Sequence, residues 1–324
     1  MPIVQIRHLT RYRYRRPVGF GEHRIMFRPR ESYDQQVTLS RLLIDPEPVE
    51  LRYVHDVFGN CVAVARFGDV RAETLSFESR VRLDHAPEPV GTGDAAWIAQ
   101  SWIDGPSAQL ATAYDPDELP DLQRSIAPQH PDLDGILQSW VRRFVRPSGA
   151  TSALEVLTAM SRAIRAEFDY AQRLYGAAQT PQTTLAKMQG TCRDFAVLMI
   201  EAARTLGLAA RFASGYVYDA QSSFERGPFA AGGSFQAGSP QGGRIGGGHT
   251  HAWARVYLPG SGWIDFDPTN GAVGGEDLIR VAIVRDPRQA TPLAGAYLGA
   301  AQDYLGMEVE VEVEHSTLPA LKVA

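Results

Sequence analysis

Apolar residues recur with two different periods along this chain, and the change of period divides it. Over residues 1–90 the period is two, as expected of half-buried strands. Val4, Ile6, Tyr12 and Tyr14 hold even positions, with Arg11, Arg13 and Arg15 around the last two. Val37–Ile44 is a second run, closed by Asp45-Pro46-Glu47-Pro48, where proline ends a ladder. Leu51–Val54 and Cys61–Phe67 flank Asp56-Val57-Phe58-Gly59-Asn60, whose glycine and asparagine tolerate positive φ in a turn. Leu75, Phe77, Val81 and Leu83 alternate with Ser76, Glu78, Arg80 and Arg82. Short strands at this spacing predict an antiparallel, sandwich-like β domain over residues 1–90. Arg11, Arg13, Arg15 and Arg16 read as a solvated strand face, with an anion site as the alternative.

Residues 91–135 are rich in proline, which predicts short connecting helices and loops. From there the period turns helical. Leu137–Phe144 and Ala153–Phe168 are expected helices, broken at Pro147-Ser148-Gly149. Within 190–207, Phe195, Met199, Ala203 and Leu206 recur at steps of four, four and three. Thr191 and Asp194 form a capping box with Asp in place of the usual Glu or Gln, and Gly207 is a stop. The helix therefore begins at Cys192. Ala209–Tyr218 reads as a strand. The Gly-rich stretch 227–248 lacks the Lys-Ser/Thr of a phosphate loop and is expected to be a mobile loop bordering a site.

His251–Leu258 alternates strictly, with His251, Trp253, Arg255 and Tyr257 on one side. Pro259-Gly260-Ser261-Gly262 is a hairpin turn, and Trp263–Asp267 returns. A three-residue loop with Gly262 in the left-handed bulge position pairs Leu258 with Gly262, Arg255 with Asp265 and Trp253 with Asp267. Asp267 is then the diagonal neighbour of His251, about 7–8 Å away between backbones. A four-residue loop puts Asp267 on the opposite face. The first register also predicts an Arg255–Asp265 contact. Leu278–Val284 is another apolar run. Met307, Val309, Val311 and Val313 alternate with Glu308, Glu310, Glu312 and Glu314, a strand whose acidic face is expected to guard an exposed sheet surface.

Composition narrows the chemistry. The 324 residues are 44% hydrophobic and 21% charged, ordinary for a globular protein of about two domains. The net charge of -5 offers no basic field for nucleic acid or acidic membranes. No run of about 18 apolar residues predicts a membrane span, and Met1–His8 lacks the apolar core of a signal peptide. Cys61 and Cys192 are too few for a disulfide framework or a four-thiolate metal site. A disulfide between them is disfavoured in a reducing compartment, and Cys61, inside a strand, reads as packing. A cytoplasmic thiol enzyme fits this usage. His249 and His251 form a His-x-His pair without a third ligand, so neither metal nor cofactor is expected.

Cys192 in a first helical turn meets free N–H groups and the positive end of the dipole, which favour a thiolate. The plainer reading is a core cysteine, as that of His251 is a half-buried strand histidine. Taken together, Cys192, His251 and Asp267 are the parts of a nucleophile, its base and the base's orienter, with the Cys192 N–H as a candidate oxyanion donor.

The segments Gly190-Thr191-Cys192-Arg193-Asp194-Phe195-Ala196, Ala203–Arg211, Gly215-Tyr216, His251-Ala252-Trp253-Ala254-Arg255-Val256 and Asp267-Pro268-Thr269-Asn270 resemble the bacterial transglutaminase-like superfamily. The resemblance is specific over residues 150–290. Arg28-Pro29-Arg30 and Asp56–Asn60 resemble the β-rich domain that often precedes this core. The resemblance implies an α+β fold with a papain-like transglutaminase core over residues 136–324, the C-terminal strand included. It implies Cys192 as nucleophile, His251 as base and Asp267 as orienter, acting on a peptide or protein substrate. Arg255 departs from the family, which often has an acid there. Two-domain bacterial members are described as candidate cysteine proteases, so hydrolysis of a peptide, isopeptide or amide bond is the expected reaction. Transfer of the acyl group to an amine is the alternative, and a non-catalytic peptide-binding scaffold a further one.

Overall fold

The computed structural model describes residues 2–87, 89–90, 97–99, 114–148, 150–173, 176–218, 245 and 250–317. The expected loop 227–248 (apart from Ile245) and His249 lie outside the described residues. Among the described residues no helix is long and apolar enough to cross a membrane.

The period-two region forms β1 (Pro2–Ile25), β2 (Gln35–Asp45), β3 (Glu50–His55), β4 (Cys61–Arg66) and β5 (Arg71–His85). These strands make one antiparallel sheet in the order β2-β5-β1-β4-β3. Tyr14, Phe20, Ile25, Ala63, Ala65, Leu75 and Phe77 enclose a small core between them. β6 (Trp97–Ala99) and β7 (Ala150–Ser152) form a two-stranded ladder. α1 (Leu119–Ile126), α2 (Ile136–Arg142), α3 (Ala153–Glu167) and α4 (Pro181–Lys187) lead to α5 (Cys192–Thr205). β8 (Asp169–Tyr170) pairs in parallel with β9 (Gln189–Gly190) just before α5.

The second sheet contains β10 (Ala210–Val217), β11 (Thr250–Leu258), β12 (Gly262–Asp267), β13 (Ala272–Val273) and β14 (Leu278–Val284), in the order β13-β12-β11-β10-β14. α5 lies across β10 and β11. Its Ala196, Met199 and Ala203 share a buried cluster with Phe212, Ala252, Ala254 and Phe266. Met199 and Ala203 of the expected stripe are among them.

Within the range 136–324, β15 (Leu293–Leu298) and β16 (Tyr304–Thr317) are hydrogen-bonded to β1. The alternating valines of β16 need a sheet to cover, and β1 offers a long edge. The acidic face and the arginine face then meet. Arg13 lies 2.9 Å from Glu308, and Arg7 lies 3.4 Å from Glu310 and 3.5 Å from Glu312. Neither face is simply solvated. Each neutralises the other across one ladder.

The two sheets are joined by buried polar contacts. β14 is an edge strand whose outer backbone groups would otherwise be unpaired. The Gln35 amide spans the Arg280 N–H and carbonyl, and the Asn60 amide spans those of Ile283. Asp56 and Arg30 hold Asn60 in place. The Asp56–Asn60 turn and Arg30 thus clamp one sheet to the other. Beside them, His8 Nδ1 lies 2.9 Å from the Tyr216 hydroxyl and His85 Nδ1 2.9 Å from that of Tyr218.

Gly215 pairs with His251 across β10 and β11, at a register shift against β14. A Cβ there would lie 1.8 Å from the Ile279 carbonyl oxygen and 3.1 Å from the Trp253 ring. A backbone oxygen cannot swing aside as a side chain can. Gly215→Ala is expected to lower stability by about 3 kcal/mol, at the upper end of overpacking costs. The urea midpoint measures this, and a change below about 0.5 kcal/mol would show that β14 shifts freely.

Candidate active site

Thr191 caps α5 as the sequence predicts. Its hydroxyl accepts from the Asp194 N–H at 3.4 Å, and Asp194 Oδ2 accepts from the Thr191 N–H at 2.8 Å. Asp194 also gathers the preceding loop, accepting from the Gln179 N–H at 2.7 Å and from Arg173 at 3.0 Å. Burial pushes this carboxyl up, but the donors from Thr191, Gln179 and Arg173 outweigh it and hold the pKa below the usual range. The start of α5, with Cys192 at its first position, is thereby tied down on two sides.

The β8–β9 ladder brings Tyr170 opposite Gly190, two residues before the cysteine. The same ladder makes Tyr170 a neighbour of Cys192. Burial and that neighbour both push the phenol well above its ordinary pKa. Tyr170 was not singled out by sequence, because a two-residue parallel bridge has no periodic signal.

The β11–β12 hairpin adopts the expected register. Leu258 pairs with Gly262 and Arg255 with Asp265, Gly262 has φ 73°, and Ser261 N–H donates to the Leu258 carbonyl. The paired ladder ends at Ala254–Phe266, one position short of Trp253–Asp267. Arg255 Nε lies 2.8 Å from Asp265 Oδ1. The Nε–H direction makes this an ion pair rather than a hydrogen bond, and Nη2 donates to the Trp263 carbonyl at 3.2 Å.

His251 and Asp267 are both buried, with His251 Nε2 2.9 Å from Asp267 Oδ2. Asp267 is saturated with donors. Asn270 Nδ2 reaches Oδ2 at 2.7 Å, and the Thr269 N–H reaches Oδ1 at 3.0 Å. Burial pushes this carboxyl up, while His251, Asn270 and Thr269 hold it below the usual range. His251 Nδ1 has no hydrogen-bond partner, and the Cys192 thiol stands close enough to act on the ring. Burial favours the neutral imidazole. Asp267, and after it Cys192, outweigh burial and push the pKa up to about 10. The arrangement stabilises a proton on the ring beside the cysteine sulfur, which suits a general base. Asn270 stands in the Asp-Pro-Thr-Asn motif, yet its support of the carboxylate is visible only in three dimensions.

The buried histidines give stability a pH optimum. Burial lowers His8 to about 3 and, aided by Arg280, lowers His85 to about 4. Their contribution is present above an ordinary histidine value of about 6.5 and is lost as pH falls through the folded values. His251 has the opposite sign, contributing below about 6.5 and fading as pH rises toward about 10. The thermal midpoint is therefore expected to peak near pH 6–7. His8→Gln should flatten the acid side alone, and an unchanged acid slope in that variant would count against the assignment.

Residues 138–268 match the Transglutaminase-like superfamily, and residues 4–84 match the Bacterial transglutaminase-like N-terminal region. The chain belongs to the transglutaminase-like superfamily. Uncharacterised proteins of Mycobacterium tuberculosis and Mycobacterium bovis are 28% identical over 321 residues, covering 95% of this chain and 91% of theirs. One from Mycobacterium leprae is 24% identical, covering 95% of this chain and 98% of its own. The crystal structure of a candidate cysteine protease from Cytophaga hutchinsonii has the same fold. It superposes with a TM-score of 0.64 at 18% identity, over 98% of this chain and 92% of that one.

Proposed function

We propose that this protein is a thiol acyl-transfer enzyme that hydrolyses a peptide, isopeptide or amide bond through a thioester. The observation that carries the reading is the 2.9 Å His251–Asp267 contact, with Cys192 acting on the same buried ring. His251 takes the Cys192 thiol proton at Nδ1 as Sγ attacks the carbonyl carbon, and the Cys192 N–H supports the developing oxyanion. His251 delivers its proton to the leaving amine as the C–N bond breaks. Water then attacks the thioester carbonyl, His251 takes the water's proton and returns it to the thiolate, and a carboxylate leaves. Asp267 keeps the Nε2–H tautomer, so that Nδ1 is free to exchange the proton with sulfur. Free Cys61 and Cys192 suit a reducing compartment such as the cytoplasm.

Iodoacetamide labelling of Cys192 at neutral pH tests the reading. Fast labelling that His251→Ala slows supports an activated thiol, whereas slow labelling indifferent to that change favours a scaffold. A peptide and amine screen read by mass spectrometry then distinguishes a free carboxylate product from a new amide, and so hydrolysis from transfer.

A further inference from the structure

Behind the Asp267 side of His251 lies a second chain of buried groups that reaches the other sheet. The Trp253 ring stacks beside His251, with centroids 6.1 Å apart and planes 24° apart. Trp253 Nε1 donates to Asp265 Oδ1 at 2.8 Å. Arg280 Nη1 donates to Asp265 Oδ2 at 3.4 Å, while its Nη2 donates to Asp34 Oδ1 at 2.6 Å and to Ser32 at 3.1 Å. Asp34 stands between β1 and β2, so the chain runs from the N-terminal sheet to the imidazole. Trp253, Asp265, Arg280 and Asp34 are all buried.

We propose that Trp253 is a positioning residue for His251, held in place from the N-terminal sheet by Asp34, Arg280 and Asp265. This rests on the reading of His251 as the base. An indole face attracts a cation within about 6 Å, and it attracts imidazolium more than imidazole. Donation of Nε1–H to a carboxylate enriches the ring in electrons and fixes its rotation. Two other groups bear on His251, Asp267 from β12 and Cys192 from α5, and Tyr170 from β8 neighbours that cysteine. Asp267 acts at Nε2, whereas the Trp253 ring stands alongside with its plane 24° from that of the imidazole.

The test is the rate of Cys192 alkylation by iodoacetamide, read by mass spectrometry of its peptide and expressed as the ratio of rates at pH 6 and pH 9.5. A purely structural role lowers the folded fraction but leaves this ratio unchanged. Trp253→Phe keeps a ring but loses the bond to Asp265, and is expected to lower the ratio at least threefold. Asp34→Asn, remote from the site, is expected to lower it at least twofold. Asp267→Asn is the control and should lower it further. If Asp267→Asn lowers the ratio while the other two variants match wild type, the positioning role is overturned and the triad stands. If Asp267→Asn itself matches wild type, the triad reading fails and the proposal falls with it. Should Trp253→Phe not fold, a wild-type ratio in folded Asp34→Asn overturns the proposal alone.

Discussion

Replacing Asp267 with Asn is expected to lower kcat/KM on a cleaved peptide by about 10⁴-fold, the loss seen when a triad carboxylate becomes an amide. The fold should survive, since size and shape are kept. Every partner of this carboxylate is a donor: His251 Nε2, Asn270 Nδ2 and the Thr269 and Asn270 N–H groups. An amide can offer its oxygen on one side only. With that oxygen on the backbone N–H groups, the amide nitrogen faces His251 and forces Nε2 to accept. The ring proton then sits on Nδ1, toward Cys192, and the neutral ring cannot take the thiol proton. A loss of tenfold or less, measured on folded variant, would mean that Asp267 does not set the tautomer.

The second large effect concerns the far side of α5. Glu201 and Arg204 are both buried and bonded at 2.5 Å. Glu201 Oε2 also accepts from the Gln129 and His130 N–H groups at 2.9 and 3.0 Å. Arg204 donates to the Ser125, Ala210 and Arg285 carbonyls. Glu201→Leu strands a buried guanidinium and two N–H groups, and should cost about 3–5 kcal/mol. Glu201→Leu with Arg204→Met should recover part of this, because an apolar pair leaves no charge unpaired. Urea midpoints of the two variants decide it. A single change costing under about 1 kcal/mol would show that water reaches Arg204. Alkylation of Cys192 per folded molecule should not change.

The site was legible where its cause is local. Thr191, Asp194 and Gly207 mark the ends of α5 within a few residues of Cys192, and the Pro259–Gly262 turn sets the register that brings Asp267 toward His251. Arg255 opposite Asp265 followed from that register alone. What escaped depends on distant partners. The hairpin register predicts only Arg255 as the partner of Asp265, yet Asp265 also takes Arg280 and Trp253, and Arg280 in turn takes Asp34 from 246 positions away. The three-residue spacing of Glu201 and Arg204 is that of an ordinary surface pair, and nothing in the spacing says that the pair is buried. Gly215 and Asn60 stood out as motif residues. Their reasons, a close carbonyl and an edge to be capped, appear only once β14 is in place.

The pairing of β1 with β16 has a consequence during synthesis. β1 leaves the ribosome before its partners and can pair with β5 soon afterwards, but its other edge waits for Tyr304–Thr317. At ordinary elongation rates that is roughly 15–60 s for about 300 residues. An unpaired strand edge invites other nascent chains throughout this interval. Arg7 finds Glu78 on β5 early, but Arg11 and Arg13 lie along the waiting strand, and until Glu308 emerges their charges repel copies of one another. The same arginines that later lock the finished ladder thus keep the unfinished one from recruiting the wrong partner.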